Sequence, residues 1–319
     1  MWPAFVCPED HEPLQAGSEG LDCPRGHRYR IEHGIPRFAP GPARQVGAFG
    51  LQWNVYRRTQ LDSYSGLALS RDRARRCLGE VTWAHLHSGS GAQVLEVGCG
   101  AGRFTEILLA TGAAVTSIDL SAAVEANQEN FPQDERHRVV QADLLRLPFA
   151  LGQYDVVFCL GVIQHTPSPE RTIEALYRQV KPGGWLVIDH YTLTLSYLTQ
   201  TAPLFRMVLR RLPPEQAMHA TDRLVAFFLP LHRAVRGSRV AHALLSRVSP
   251  VRTYFHALPL DDDKQREWAL LDTHDALTDW YKRFRTRDQI RRLLERLGGT
   301  EIWAEPGGNG VEARCRRPR

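Results

Sequence analysis

Between residues 92 and 191, short apolar runs alternate with amphipathic segments along the chain. The apolar runs predict five strands: AQVLEVG (92–98), AAVTSIDLS (113–121), HRVVQAD (137–143), YDVVFCLGV (154–162) and WLVIDHY (185–191). The intervening segments predict helices; SPERTIEALYRQV, for example, begins with the capping residue Ser168 followed by a proline. Strands that alternate with helices in this way predict an α/β fold whose parallel sheet is buried on both faces.

The rest of the chain departs from this alternation. Residues 193–260 are helical and rich in arginine, whereas TRDQIRRLLERLGG predicts a further core helix capped by Thr286. EIWAE and GVEARCRR predict two last strands, joined by PGGN into an antiparallel hairpin at the edge of the sheet. We therefore divide the chain into five segments: a Cys- and His-containing module (1–40), a linker, lid and helix (41–90), the core (91–192), a helical insert (193–260) and the C-terminal part of the core (261–319).

A glycine-rich turn, VLEVGCGAGRF, joins the first predicted strand to the first helix. Gly98, Gly100 and Gly102 follow a G-x-G-x-G spacing, and Arg103 stands where a dinucleotide-binding fingerprint has its third glycine. Glu96, which precedes the turn, is an unfavourable neighbour for a pyrophosphate but a favourable one for a cationic ligand. The turn therefore predicts a nucleotide-type ligand other than a dinucleotide.

Further candidate ligand residues follow the next strands. Asp119 ends the second strand, where its carboxylate can accept hydrogen bonds from both hydroxyls of a ribose. Asp143 and the backbone of Leu144 follow the third strand, in positions suited to an adenine ring, and Gly161 follows the fourth. Because ligands of open α/β sheets bind at the carboxyl ends of the strands, we expect these residues to surround one ligand.

The ordered set of E-x-G-x-G-x-G, Asp119, Asp143 and the block YDVVFCLGVIQHTPSP…KPGGWLVI resembles class I S-adenosylmethionine-dependent methyltransferases. The resemblance covers residues 70–191 and, in pattern, 286–316. It implies a Rossmann-like seven-stranded sheet with an antiparallel last hairpin, and S-adenosylmethionine as the cofactor of the residues named above. Two alternatives remain: the glycines only form a tight turn beside solvated acids, or the chain is a non-catalytic S-adenosylmethionine-binding scaffold or partner subunit.

The turn GVIQHTP after the fourth strand bears on the methyl acceptor. It lacks the Asn/Asp-Pro-Pro-aromatic motif of adenine-amino methyltransferases and resembles small-molecule O-, N- or C-methyltransferases, among which we favour O-methylation. Transfer to a hydroxyl needs a general base, for which His165 is the first candidate and His190 or Tyr191 the second. Packing of the loop is the alternative role of His165. The stretch before the core resembles the segment that precedes the core in such enzymes, which implies that it folds over the cofactor. Its candidate lid residues are Phe49, Gln52 and Trp53, and packing on the core is the alternative role of each.

The charge of the chain is unevenly distributed. The formal net charge is +5, but residues 193–252 contain nine Arg, no Lys and two acids, Glu215 and Asp222. A solvated helical cap is one interpretation of this insert. The other is recognition of an acidic acceptor, such as a phosphorylated or carboxylated sugar or lipid, or contact with an anionic membrane surface.

The N-terminal stretch CPEDHEPLQAGSEGLDCPRGH resembles the zinc ribbon that precedes the core in some bacterial methyltransferases, including ribosomal RNA guanine-N1 methyltransferases. Cys7 matches the first ligand of that ribbon, and Cys23 with His27 matches its second half. Asp10 stands in place of a cysteine, with His11 beside it, so either can complete a tetrahedral structural zinc site. A metal-free vestige is the alternative.

The ribbon, the basic insert and a pI of about 9.0 also suit ribosomal RNA, so base methylation of ribosomal RNA is the alternative function. No apolar run of ~18 residues predicts a membrane span, and the N-terminus lacks the pattern of a signal peptide. The six scattered cysteines indicate a reduced, cytoplasmic setting. No acidic set suggests a catalytic metal, so we expect metal-independent methyl transfer.

Overall fold

The computed structural model describes residues 2–39 and 44–319. Its N-terminal part contains a small antiparallel sheet of four short strands: β1 (Gln15–Ala16), β2 (Gly20–Asp22), β3 (Arg28–Glu32) and β4 (Ile35–Pro36). Isolated backbone bridges from Phe5 to Phe149 and from Arg37 to Gln141 join this part to the core. The predicted end of the module at residue 40 lies outside the described residues.

The main sheet has seven strands: β5 (Gln93–Val97), β6 (Ala114–Asp119), β7 (His137–Gln141), β8 (Tyr154–Cys159), β9 (Val180–Tyr191), β10 (Thr300–Gly307) and β11 (Gly310–Arg316). They lie in the order β10-β11-β9-β8-β5-β6-β7. β11 is antiparallel to both β9 and β10, whereas β5 to β9 are mutually parallel. The predicted Rossmann-like sheet with an antiparallel last hairpin is confirmed.

Twelve α-helices accompany the sheets in the described residues: α1 (Arg44–Val55), α2 (Asp62–Ser65), α3 (Leu69–Leu86), α4 (Thr105–Ala110), α5 (Ala123–Asn130), α6 (Pro169–Gln179), α7 (Leu195–Leu198), α8 (Ala202–Leu209), α9 (Pro214–Ala234), α10 (Arg239–Val248), α11 (Asp262–Thr278) and α12 (Arg287–Arg296). Ser168 stands at the N-cap of α6, as predicted. Thr286 caps α12 through a capping box with Gln289. A 3₁₀ turn, Ile163–His165, follows β8.

Alternate side chains of each central strand enter the two faces of the sheet. Leu95 and Val97 pack on the face that α6 and α12 cover, while Val94 packs on the face that α3 and α4 cover. This two-sided burial explains the near-continuous apolar runs of the parallel strands. It also places the carboxyl ends of β5, β6, β8 and β9 at one edge of the sheet.

A helical layer lies over that edge. α9 and α11 form an apolar core around Val225, Leu229 and Leu270, and α8 joins α11 through Leu209 and Leu277. α11 therefore belongs with the insert helices, beyond the predicted insert boundary at residue 260. Among the helices of residues 2–39 and 44–319, none combines the length and apolar character that spanning a membrane requires.

Candidate active site

A cavity of about 1440 Å³ lies between the carboxyl edge of the sheet and the helical layer. Six residues predicted to hold the cofactor line it: Gly98, Gly100, Asp119, Asp143, Leu144 and Gly161. The candidate bases His165 and Tyr191 line it as well, as do the three lid residues of α1, Phe49, Gln52 and Trp53. The fold thus brings together residues that are more than 100 positions apart in the sequence.

The glycine loop takes backbone conformations that favour glycine. Gly98 has φ +74°, and a Cβ built on it would overlap the Val162 side chain. Gly100 has φ +51° and lies under Trp53, whose ring would be 3.3 Å from a Cβ at that position. Gly102 does not itself line the cavity; its backbone packs against Phe131. The loop is therefore a bare strip of backbone that a ligand can approach closely.

Asp119 ties the end of β6 to the glycine loop. Its carboxylate accepts hydrogen bonds from the Gly100 backbone N–H at 3.1 Å and from the Ser121 N–H and hydroxyl at 2.8 and 2.7 Å. Burial raises the pKa of Asp119, although these hydrogen bonds oppose the shift. A carboxylate has about four acceptor positions, so Asp119 retains capacity for a ligand hydroxyl.

Asp143 and Gly161 lie on either side of the loop. One carboxylate oxygen of Asp143 accepts a hydrogen bond from the Leu145 backbone N–H at 2.9 Å, which fixes the turn after β7. The Gly161 N–H donates to Asp189 at 2.6 Å, so the turn after β8 is held by the neighbouring strand β9. Both turns present their backbone to the cavity.

Glu96 lies outside the cavity lining, in contrast to its predicted position beside the ligand. It follows the strand alternation of β5 and points into the sheet face under α4, where it accepts hydrogen bonds from Thr105 at 2.6 Å and Ser117 at 2.8 Å. Burial raises its pKa to about 7. Its side chain therefore supports the start of α4 behind the glycine loop.

His165 has a defined orientation at the cavity wall. Its Nδ1 lies 3.2 Å from the Tyr281 carbonyl oxygen and 3.4 Å from a carboxylate oxygen of Asp279. Phe49 and Tyr191 contact the ring edge-on, at centroid distances of 5.4 and 5.3 Å. Burial lowers the pKa of His165, but Asp279 and Asp275 outweigh it, and the pKa rises above its ordinary value.

The second pair of candidate bases divides between the two faces of β9. Tyr191 lines the cavity, and burial raises the pKa of its phenol well above the ordinary range. His190 points to the opposite face, is 1% exposed, and does not line the cavity. Its Nδ1 donates to the Tyr191 carbonyl at 2.9 Å. The period of two in a strand accounts for this separation.

A polar network on the opposite wall was not predicted. Arg103 donates to Ser70 and Gln60 at 3.0 Å each, and Gln60 donates to Asp272 at 3.0 Å. Asp272 accepts a hydrogen bond from Tyr254. Burial raises the pKa of Asp272 to about 6 and lowers that of Arg103 to about 10. The only sequence signal for this network was Arg103 in place of a glycine.

Arg252 extends this wall, and its charge opposes the rise in the pKa of Asp272. The Arg252 side chain lines the cavity and makes no hydrogen bond or ion pair with the residues that the structure describes. Gln52 of α1 is fully buried, and neither its amide nitrogen nor its amide oxygen makes a hydrogen bond of normal geometry within the described residues. Its amide is close enough to Asp275 to oppose the rise that burial causes in the pKa of that carboxyl group. Buried polar groups are normally satisfied, so the Gln52 amide fits a cavity that receives a polar ligand, and the half-buried Arg252 adds a positive charge to the same cavity.

A second cluster lies in the N-terminal module. Ligand atoms of Cys7, Asp10, Cys23 and His27 all lie within 4.8 Å of one another. His27 Nδ1 is 3.0 Å from an Asp10 oxygen and 3.4 Å from the Cys7 sulfur. His11 is not in this cluster; its backbone, with φ +64°, turns away after donating to the Cys7 carbonyl. Two sulfurs, one oxygen and one nitrogen form a donor set that suits zinc.

Solved structures with a similar arrangement include methyltransferases. Human N-acetylserotonin methyltransferase in complex with SAM gives a TM-score of 0.40 at 14% sequence identity, covering 75% of this chain and 52% of that one. The CurJ carbon methyltransferase gives 0.43 at 14% identity, covering 77% and 58%.

The sequence itself is related to methyltransferases over the core. Residues 95–188 match the family model described as a methyltransferase domain. A ubiquinone biosynthesis O-methyltransferase of Pseudomonas entomophila (strain L48) is 39% identical over 99 residues, 30% of this chain and 42% of that protein. Its counterpart in Azotobacter vinelandii (strain DJ / ATCC BAA-1303) is 37% identical over 111 residues, which are 33% of this chain and 47% of that protein. The chain thus spans less than half the length of these relatives. Residues 95–188 are therefore similar to a methyltransferase domain.

Proposed function

We propose that the protein transfers the methyl group of S-adenosylmethionine to a hydroxyl group of a small molecule. The observation that supports this most directly is that the glycine loop, Asp119 and His165 line the same cavity. The candidate cofactor site and the candidate base therefore line one cavity. The named O-methyltransferases that match residues of the core support oxygen as the acceptor atom.

The cofactor would lie against the glycine loop. Gly98 and Gly100 have no side chains, so the cofactor could lie directly against the backbone of the loop. Asp119 would accept hydrogen bonds from the ribose, and Asp143 with Leu144 would contact the adenine. The buried amide of Gln52, which makes no hydrogen bond of normal geometry within the described residues, supports the fit from the lid side. When bound, S-adenosylmethionine supplies an electrophilic methyl group.

His165 would accept the proton of the acceptor hydroxyl. A carbonyl oxygen can only accept a hydrogen bond, so the contact with Tyr281 makes Nδ1 the donor in the neutral ring. The lone pair is then on Nε2, which makes no hydrogen bond within the described residues. Edge contacts with Phe49 and Tyr191 restrict rotation of the ring. The residues thus hold one tautomer in one orientation, as general-base catalysis requires.

An acidic group on the acceptor would account for the polar wall. Within the described residues, Arg252 forms no ion pair, and Arg103 hydrogen-bonds to the neutral side chains of Ser70 and Gln60. The charge of the Asp272 carboxylate acts on both guanidinium groups, and burial raises the pKa of Asp272 to about 6. Two guanidinium groups in this state beside a cavity suit a carboxylate or phosphate. We therefore propose a hydroxylated acceptor that carries such a group.

The N-terminal cluster would hold a structural zinc ion through Cys7, Asp10, Cys23 and His27. In the structure the Asp10 carboxylate already lies between Cys23 and His27, at 3.3 and 3.0 Å. This zinc would stabilise the module and take no part in methyl transfer. The six cysteines are free, which supports a reduced, cytoplasmic setting.

The test is transfer of a tritium-labelled methyl group from S-adenosylmethionine to a panel of acceptors. The panel pairs hydroxylated phenols bearing a carboxylate with their methyl esters, and adds phosphosugars and ribosomal RNA. We expect O-methyl products, with the carboxylate favoured over its ester and the preference reduced in Arg252→Gln. Methylation of RNA instead of small molecules, or cofactor binding without turnover on any acceptor, would refute the proposal.

A further inference from the structure

Exposed apolar side chains are concentrated on the helices of the insert. Sixteen large apolar side chains are exposed among the described residues, and eleven of them lie between residues 193 and 248. Soluble surfaces usually carry such residues singly. A concentration of this kind marks a surface that contacts something apolar.

These side chains follow helical spacing, so each helix presents an apolar stripe to the outside. In α10 the stripe consists of Val240, Leu244 and Val248, which are 71%, 67% and 56% exposed. No residue of α10 is buried. Helix α8 adds Leu204, Met207 and Val208, and α9 adds Phe227 and Leu231. Residues at i, i+3 and i+4 share one face of a helix, so these are faces rather than isolated exposures.

The helices that carry the stripes contact one another. The N–H of Thr201, at the start of α8, donates to the Arg247 carbonyl at 3.0 Å, and its hydroxyl donates to the Val248 carbonyl at 2.7 Å. The rings of His232 in α9 and His242 in α10 are 4.9 Å apart. We call the exposed apolar residues of α7 to α10 the insert surface.

Arginines accompany the apolar stripes. Five arginines of this segment are exposed: Arg211, Arg223, Arg236, Arg239 and Arg247. The only acids between residues 193 and 252 are Glu215 and Asp222. Asp262 of α11 pairs with Arg236, so the other four exposed arginines carry the positive charge of this surface. A surface that is both apolar and cationic complements the headgroups and acyl chains of an anionic bilayer.

Other partners fit this combination less well. Two copies of the chain that met face to face through this surface would bring like charges together. A nucleic acid would use the arginines but would leave the exposed Leu244 and Phe227 in water. We propose that the insert surface docks peripherally on an anionic lipid membrane.

The insert surface adjoins the cavity. In the short helix α7, Tyr197 lines the cavity, while Leu195 and Leu198 are 83% and 64% exposed. One helical turn is therefore both a wall of the cavity and part of the insert surface. Docking would place the cavity beside the membrane, within reach of an acceptor that partitions into lipid.

The test is flotation of the full-length protein with vesicles of phosphatidylcholine alone or mixed with phosphatidylglycerol. No cofactor or acceptor is added, so failure here is separate from failure of the proposed function. We expect at least ~10-fold more binding to the anionic vesicles, and loss of this excess at ~1 M salt, because salt screens surface charges.

The variant that replaces Val240, Leu244 and Val248 by serine should lose most of this binding and keep its circular dichroism and melting temperature. Val81→Ser is the matched control, because Val81 is 77% exposed on α3, outside the insert surface. The arginines contribute separately from the apolar residues. The double variant Arg223→Gln/Arg239→Gln should therefore bind less to anionic vesicles and bind unchanged to vesicles of phosphatidylcholine. Equal binding of the serine variant and wild type, no preference for anionic lipid, or a dimer that the serine variant abolishes would overturn the proposal.

Discussion

The Nδ1 atom of His165 lies 3.2 Å from the carbonyl oxygen of Tyr281, which joins the turn after β8 to the segment that follows α11. Because the carbonyl can only accept, the neutral imidazole carries its proton on Nδ1 and its lone pair on Nε2. A contact between the core and the helical layer therefore sets the tautomer of the candidate base. This relationship links the packing of α11 to the chemistry proposed for the cavity.

We predict that His165→Gln lowers kcat by about 10²- to 10⁴-fold, the usual contribution of a general base, and leaves S-adenosylmethionine affinity unchanged. In the wild type, only the neutral ring can accept a proton.

Because Asp279 and Asp275 raise the pKa of His165 above 6.5, kcat/KM should rise with pH and reach half its maximum above that value. Asp275→Asn should move this acid limb to lower pH. His190→Gln is the control and should retain kcat; a near-normal kcat in His165→Gln would refute the role.

Substitution of Gly98 allows the cost of backbone strain to be measured separately from the cost of steric overlap. We expect Gly98→Ala to lower the free energy of unfolding by about 3 kcal/mol, the sum of overpacking against Val162 and a left-handed φ. Adding Val162→Ala should restore the overpacking part only. Gly89→Ala is the matched control, since Gly89 has φ +71° with open space around it. Urea denaturation measures all four proteins, and equal losses in Gly98→Ala and Gly89→Ala would contradict the overlap.

Burial of Glu96 predicts a pH-dependent stability difference. Its pKa rises from 4.5 in the unfolded chain to about 7 in the folded protein, so the folded state binds the proton more tightly. Its contribution to stability is therefore lost as pH rises from about 4.5 to 7. Glu96→Gln cannot ionise, so relative to wild type it should gain about 2.5 kcal/mol between pH 5 and pH 8. Denaturation at both pH values tests this, and a difference that does not change with pH would exclude it.

The geometry of the N-terminal cluster predicts which neighbouring side chain binds metal. Asp10→Ala should lose most of the zinc found in the wild type by elemental mass spectrometry, and its melting temperature should no longer respond to chelator. His11→Asn should keep the metal, and asparagine tolerates the positive φ of this position. Zinc lost from His11→Asn but kept in Asp10→Ala would reverse the assignment. Absence of zinc from the wild-type protein would refute the zinc site itself.

Much of the fold could be predicted because local signals agree with the tertiary arrangement. The apolar runs of β5 to β9 reflect burial on both faces, and the capping residue Thr286 marks the start of α12. Helix α4 begins only at Thr105, because the residues before it belong to the glycine loop. The extension of the helical layer through α11 depends on apolar contacts with α8 and α9, for which the sequence has no local signal.

The site was predicted less evenly. Residues at strand ends, such as Asp119 and Gly161, follow from the rule that ligands bind at the carboxyl edge. Glu96 was expected beside the ligand because of its place in the motif, whereas the strand period directs its side chain away from the cavity. The network of Arg103, Gln60 and Asp272 spans residues far apart in the sequence, so no spacing could indicate it. The choice between Asp10 and His11 depends on a backbone turn that the sequence does not specify.

The most direct test of the account is the binding of S-adenosylmethionine, measured by isothermal titration calorimetry with wild type, Asp119→Asn and Asp288→Asn. The last is a control at an exposed site on α12. We predict equimolar binding to wild type and the control, and about 10- to 100-fold weaker binding to Asp119→Asn, because the loss of a charged acceptor costs about 1.5–3 kcal/mol. No binding to wild type, or equal affinity in all three proteins, would contradict the account.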